Sequence, residues 1–461
     1  MKNALVSGAS LFVAAVHGAV VDKRASSGTA TVNLAVPQGT PSHLASGFIY
    51  GIPDTPNQIP DQFYTDMGFR YTRAGGAQIP ARGWAFGKDE FEQRFDSSLS
   101  NYKTARKYGA RVQLLLADLW GADATIRLAM PGANGDWSSF DEFLDTVLAR
   151  IDENDMIEGL DLEIWNEPDG PGFWQSSQAQ YLEMWGRAFP KIRAAFPDMP
   201  IVGPSSAGQP STSNRWAKRF YQFIKTNGSV PDYYTWHEET SGDEVTRDVR
   251  NLENLIADVG LPRKPFMINE YAVRSEQNPA TAAWYISRLE RHNVIGLRGH
   301  WASGYSLHDY FANLLSKPGA TDKCRSNSCA TSTGYWGNGE YNVYKYYNLN
   351  MTGSRVQTSG SSDTLFDVYA TSNGKSRSAK ILCGTRHHAS TWSVQIMNLD
   401  KAGYPKNGKV KIQKYQFGFG NGKFDRVSVV DLGLQEYTSK NNQLTFDVTT
   451  NNIAAYAFEL I

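Results

Sequence analysis

The sequence predicts an α/β chain, a (β/α)8 barrel followed by a C-terminal antiparallel β-sandwich. Three observations carry the prediction. From about Gly47 to Asn313, strand-like apolar runs alternate with helix-period segments, the pattern of parallel strands joined by crossover helices. Eight such runs fall within roughly 270 residues, which suits a closed barrel better than an open sheet. From about Tyr341 the helical segments stop, and short strands follow one another through Gly, Asn, Ser and Lys turns.

The elements follow in order. Residues 1–18 read as a signal peptide: Lys2 supplies the positive start, Ala4 to Val16 is small and apolar, and Val16 and Gly18 sit at cleavage offsets. That apolar run is too short to span a membrane. Residues 19–24 read as a short propeptide, because Lys23-Arg24 resembles a dibasic processing site of fungal secretion; the mature chain then starts near Ala25. Residues 25–44 contain "ATVNLAV", a candidate extra strand for the sandwich.

The barrel is expected over residues 45–340. Its strands are read in "SGFIYGI", "FRYTRAGG", "RVQLLLADLW", "GLDLEIWNEP", "PIVGPSS", "PDYYTWHEE", "KPFMINEYA" and "IGLRGHWAS", all but the last followed by a helix-period segment. The sandwich is expected over residues 341–461, with strands in "TLFDVYATS", "SAKILCG", "TWSVQIMNL", "GKVKIQKYQFG", "FDRVSVVDL" and "QLTFDVTT" and no helix between them.

Composition narrows the function. Lys plus Arg and Asp plus Glu both total 46, so no charge excess draws the chain to nucleic acid or a membrane surface. Apolar residues make up 41%, enough for a large core. The 12 Trp and 23 Tyr suit stacking on sugar rings, although core filling accounts for most of them. Two sequons, at Asn227 and Asn350, agree with secretion to the extracellular space. So does a local disulfide between Cys324 and Cys329, which bracket the polar "RSNS"; Cys383, in an apolar run, reads as a buried free thiol. No Cys/His spacing resembles a metal site, and no Walker loop, dinucleotide fingerprint or Gly-x-Ser-x-Gly elbow is present. No cofactor is implied. Nothing in the sequence reports on oligomeric state.

The chemistry lies at strand tips, since a barrel of this kind works at the C-terminal ends of its strands. The fourth strand ends in Asn166-Glu167 and the seventh in Asn269-Glu270. Three β/α units separate them, so the two carboxyls face one another across one rim. Two carboxyls across a cleft are the minimal machinery of glycoside hydrolysis: one delivers a proton, the other attacks or stabilises the anomeric carbon.

"IWNEP" and "MINEY" resemble the acid/base and nucleophile motifs of clan A glycoside hydrolases, retaining (β/α)8 enzymes. The barrel-then-sandwich order and "EIWNEPD…FW" look most like glycoside hydrolase family 39. The resemblance implies that Glu167 is the acid/base, Glu270 the nucleophile, and Asn166 a partner of the sugar 2-hydroxyl. It also implies that Arg73, in "YTRAGG", stands beside the nucleophile. His237 falls where the clan often has His-x-Tyr; here Glu239 replaces the Tyr, which puts that residue's role in doubt and adds a carboxyl to the sugar site. Trp301 is a candidate sugar platform, with Trp120, His300 and Trp174 as further candidates. The activity implied is β-xylosidase-like, with endo-β-glycanase and arabinofuranosidase open on the same barrel. Outside the enzymes stands a carbohydrate-binding protein on an inactive barrel; a chromogenic-glycoside screen separates the two.

Overall fold

The computed structural model describes residues 26–123, 128–240, 242–299, 310–321 and 332–461. The expected signal peptide and propeptide, His300, Trp301, Cys324 and Cys329 lie outside the described residues. After β1 (Thr29–Pro37) come eight strands in parallel: β2 (Gly47–Ile49), β3 (Tyr71–Ala74), β4 (Arg111–Leu115), β5 (Leu160–Glu163), β6 (Ile201–Ser206), β7 (Tyr233–Glu238), β8 (Phe266–Tyr271) and β9 (Val294–Arg298). Each pairs with the next, and β9 returns to β2, closing the barrel.

Alternation along each strand divides its side chains between two cores. Leu160 and Leu162 of β5 join the large apolar layer between strands and helices. Met267, Ile295, Leu297 and Ile49 form a much smaller apolar cluster. Polar groups meet inside the barrel, where Arg73 and Asn269 both donate to Glu163 across the strands.

The helices are α1 (Asp61–Asp66), α2 (Lys88–Lys107), α3 (Leu116–Trp120), α4 (Ser138–Glu153), α5 (Gln178–Ala195), α6 (Arg215–Asn227), α7 (Val245–Val259), α8 (Pro279–His292) and α9 (Gly339–Leu349). Their starts carry the expected signals. The Asn214 side chain caps α6 and buries Ala217, Phe220, Tyr221 and Ile224 on one stripe. Asn278 caps α8, with Pro279 in its first turn.

Two readings need correction here. The run "RVQLLLADLW" is a strand only to Leu115; Leu116–Trp120 is a buried helical turn ended by Gly121 in the left-handed region (φ 104°). An apolar run of that length does not by itself distinguish a buried strand from a buried helix. The expected boundary at residue 341 cuts through α9. This helix belongs to the barrel: Tyr341, Tyr344 and Tyr347 face its core, and Arg298 of β9 pairs with the buried Glu340. Its stripe is built from Tyr rather than Leu or Ile, so it does not stand out from its polar surroundings.

The C-terminal sheet has nine strands, ordered β17-β16-β19-β14-β13-β12-β1-β15-β18. They are β1 with β12 (Ser354–Ser359), β13 (Phe366–Ser372), β14 (Ala379–Thr385), β15 (Thr391–Met397), β16 (Gly408–Phe417), β17 (Val430–Ser439), β18 (Gln443–Thr449) and β19 (Ala455–Leu460). A separate short ribbon pairs β10 (Leu315–Ser316) with β11 (Trp336–Gly337). β12 pairs at one end with β13 and along the rest with β1, so the sheet folds over there and encloses its own core. β1 runs parallel to β15; the other pairings are antiparallel. Residues 424–429, expected as strand, are loop, and the strand starts at Val430.

The sandwich packs on α8. Asp367 accepts from Arg291 and pairs with Arg288, 2.7 Å away. Gly384 lies so close to Ala280 that a Cβ would sit 1.9 Å from its carbonyl oxygen.

Candidate active site

Arg73, at the end of β3, organises the barrel mouth. It is buried, and a buried guanidinium needs every N–H satisfied. Its Nε and Nη2 donate to the two oxygens of Glu163 at 2.6 and 2.7 Å, a bidentate pair. Nη2 also donates to Asn166 Oδ1 at 2.6 Å, and Nη1 donates to Glu270 Oε1. One cation thus ties β3, β5, the turn after β5 and β8 together. Asn269 Nδ2 donates to Glu163 Oε1 at 3.1 Å and to Ser205 Oγ at 2.8 Å, bringing in β6.

Glu270 lies within β8, its side chain 8% exposed. Burial pushes its carboxyl up, but His237 and Arg73, with hydrogen bonds from Glu239 and Arg73, outweigh it, and the net shift is downward. It is the ionised carboxylate of the site. Glu167 lies four residues beyond the end of β5, its side chain 17% exposed. Its backbone sits at φ 39°, a region a residue with a Cβ rarely adopts, and its N–H donates to Ser205 O at 2.9 Å. Asp169 fixes the same turn by accepting from Ala207 N and Gly208 N at 2.9 and 2.8 Å.

His237 bridges the two. Its Nδ1 is 2.9 Å from Glu167 Oε1, and its Nε2 is 3.9 Å from Glu270 Oε1. Burial would push the imidazole pKa down; Glu270, then Glu167, reverse this, and the net shift is upward.

Glu239 was expected to bring a charge. Burial, then the negative charges of Glu270 and Glu167, push its carboxyl well up from the usual range. Among the described residues, ligand atoms of Glu167, His237 and Glu239 come within 4.8 Å of one another.

The other expected residues separate. Asn166 is buried at the mouth; Arg73 occupies its Oδ1, and its Nδ2 has no protein partner among the described residues. Trp120 is 4% exposed and packs edge-to-face on Phe140 and Phe143, its Nε1 lacking a partner among the described residues. Trp174 is packed beneath Trp165, 5.2 Å between ring centroids, and donates to Ser177 O. Asn227 is exposed just before the Gly228 end of α6, and Asn350 is half-buried at the end of α9. Cys383 is a buried free thiol.

Sequence reasoning missed Glu163, Asp118 and Arg386. Asp161 and Glu163 stand two apart in an apolar strand, a period that points both charges away from the helix layer; that was a readable signal. Asp118 is buried beside Gly75, and burial, then Asp123, Glu163 and Glu270 push its carboxyl well up. Arg386 reaches out of the sandwich. It donates to Glu276 Oε1 at 2.6 Å, to Thr240 O at 3.0 Å and to Asp243 O, gripping the loop that follows β7.

Comparison with family models finds no match to the chain, and neither does comparison with curated proteins. Solved structures match along nearly its whole length. N2152 from Neocallimastix frontalis superposes with a TM-score of 0.73 at 22% identity, covering 94% of this chain and 99% of that one. The GH39 enzyme from Xanthomonas axonopodis pv. citri gives 0.61 at 13% identity, covering 96% and 99%. The fold, a (β/α)8 barrel with a C-terminal β-sandwich, is one that this GH39 structure shares. A monomeric beta-xylosidase from Caulobacter crescentus agrees, at 0.59 and 16% identity over 94% and 99%. The barrel-then-sandwich order read from the sequence is thus the order these structures share.

Proposed function

We propose that this chain is a retaining glycoside hydrolase that cleaves O-glycosidic bonds by double displacement. The supporting observation is the pair of Asn-Glu tips whose carboxyls stand on either side of one imidazole, Glu167 at 2.9 Å from its Nδ1 and Glu270 at 3.9 Å from its Nε2. Two carboxyls in different protonation states are what acid-assisted displacement requires. Glu270 attacks the anomeric carbon while Glu167 gives its proton to the leaving oxygen. Glu167, now ionised beside His237, takes a proton from water, which attacks the glycosyl-enzyme and frees Glu270. Asn166 Nδ2 is the free donor for the sugar 2-hydroxyl. No step calls on a cofactor.

The substrate is a plant-type or fungal polysaccharide or oligosaccharide, and β-xyloside is the first choice because two of the matching structures are named β-xylosidases. Secretion is proposed from the N-terminal segment, with glycans at Asn227 and Asn350 and a Cys324–Cys329 disulfide. Among the described residues no helix is long and apolar enough to cross a membrane.

A panel of aryl β-xylosides, β-glucosides and α-arabinofuranosides tests the activity, and NMR of the first-formed sugar tests the stereochemistry. Turnover with retained configuration supports the proposal. An inverted product, or no turnover on glycosides and cell-wall polysaccharides, rejects it.

A further inference from the structure

His237 and Glu270 are partners across β7 and β8, but the ladder shifts register between Trp236 and His237. Sheet pairing alone therefore does not fix these two tips. Both are held from outside the barrel by the turn that follows β14. Arg386 uses all three of its side-chain nitrogens there: Nε donates to Glu276 Oε1 at 2.6 Å, Nη2 to Thr240 O at 3.0 Å, and Nη1 to Asp243 O. Its Cζ lies 5.0 and 5.6 Å from the ring centroids of Trp284 and Tyr285. The rigid fork of a guanidinium meets three acceptors at once, which an ammonium does not.

Glu276 is the other half of the clasp. It is buried, and four donors surround its carboxylate. Oε1 accepts from Arg386 and lies 2.6 Å from His387 Nε2. Oε2 accepts from Val273 N and the Tyr285 hydroxyl at 3.2 and 3.1 Å. One oxygen thus faces the sandwich, and the other fixes the backbone three residues beyond Glu270. His387 reaches it from φ 66°, a region a residue with a Cβ rarely adopts. The anchor is firm: Gly384 lies against the backbone of Ala280, and Ala280 N donates to Ile453 O at 2.9 Å. On the other side Thr240 lies two residues past β7, and its N and Oγ1 close the turn on Asp243 at 2.7 and 2.6 Å.

We infer that Arg386 is a positioning residue of the reaction: by joining the turns after β7 and β8 it sets the place of His237 between Glu167 and Glu270. The imidazole stands 2.9 Å from one carboxyl and 3.9 Å from the other, so a small shift of either tip alters both contacts. Arg386 acts through backbone carbonyls and Glu276, not on the sugar, and its effect belongs in kcat rather than in KM. The inference rests on reading Glu167 and Glu270 as the reacting pair. The sandwich is then part of the catalytic unit.

Two variants of the full chain test this. R386M removes every contact. R386K keeps a cation for Glu276 but offers one nitrogen where three are used, and it serves alone if R386M does not fold. Active sites are counted by trapping with a 2-deoxy-2-fluoro glycoside, so that misfolded chains drop out. Per counted site, kcat on an aryl glycoside should fall about 10- to 100-fold in R386K, up to the loss a misplacement of about 1 Å causes. KM should stay within about twofold. A merely structural arginine would lower the number of sites and the melting temperature while kcat per site held, and that result overturns the inference.

A double-mutant cycle then asks which group Arg386 acts through. In a His237→Ala background R386K should cost at most about twofold more, because both changes disturb one contact. Fully additive losses overturn the inference. Ring ¹⁵N resonances of His237 in histidine-labelled protein give a reading independent of turnover. They should move in R386K, and unmoved resonances overturn the inference whether or not any glycoside is cleaved. Moved resonances in a wild-type chain that cleaves no glycoside would keep the clasp and remove the reading of Glu167 and Glu270 as the reacting pair.

Discussion

The tips of β5 and β8 carry the same dipeptide and put it to opposite use. In β8, Asn269-Glu270 lies within the strand, so its geometry is set by the sheet and Glu270 is delivered buried against a guanidinium. In β5 the strand ends at Glu163, and Asn166-Glu167 follows in a turn whose backbone enters the left-handed region. Glu167 is thereby lifted toward solvent and toward His237. The amides diverge too: Asn269 points into the barrel and ties Glu163 to Ser205, whereas Asn166 keeps a donor free at the mouth. Register relative to the strand end, not residue type, buries one carboxyl against a guanidinium and leaves the other more open beside His237.

The largest test of this contrast is to delete each carboxyl. Glu270→Ala should lose ~10⁴-fold or more in kcat on every glycoside, and added azide should give the inverted product. Glu167→Ala should keep the first step on a dinitrophenyl glycoside, lose turnover at the second, and recover with azide as a retained glycosyl azide. The opposite pattern would exchange the two roles. Next comes the cation that maintains the contrast. Arg73→Met leaves Glu163 and Glu270 buried without their shared guanidinium, and urea unfolding should register a loss of about 3–5 kcal/mol.

Smaller changes sharpen the comparison of the amides. Asn269→Ala should cost about 1–3 kcal/mol of stability, because Glu163 and Ser205 lose a donor in a buried network. Asn166→Ala should leave unfolding nearly unmoved and lower kcat about tenfold, the value of one hydrogen bond made in the transition state. Equal stability losses would mean both amides are structural. The smallest effect is on pH. Because the Glu270 carboxyl is lowered from 4.5, the acid limb of kcat/KM should lie below that value. Its depressed pKa contributes stability that is present above the unfolded value and lost as pH falls through the folded one. Acid titration of unfolding in wild type and Glu270→Gln reads that window directly.

The barrel was legible because its strands are apolar, its helices amphipathic and the alternation regular. Glu167 and Glu270 were legible because a carboxyl at a strand tip interrupts that regularity. What escaped had a physical reason in each case. β17 is an exposed edge strand whose Val430, Leu432 and Leu434 face solvent, so no buried face imposes a pattern on it. α9 buries tyrosines. Glu239 reads as a charge in any sequence, and only burial and its neighbours push its carboxyl up. Arg386 acts on a loop some 140 positions away, a pairing that no local window contains.

β1 sits between β12 and β15, with Thr29 opposite Ser393. During synthesis the strand emerges before the barrel and finds its neighbours only after the whole barrel has left the ribosome. For most of that interval an apolar strand with open edges waits unpaired, the situation in which chaperones bind and misassembly starts. A stop codon that spares the barrel but removes the sandwich would leave that strand permanently unpaired. Such a chain should be lost to quality control even though every residue at the barrel mouth is present.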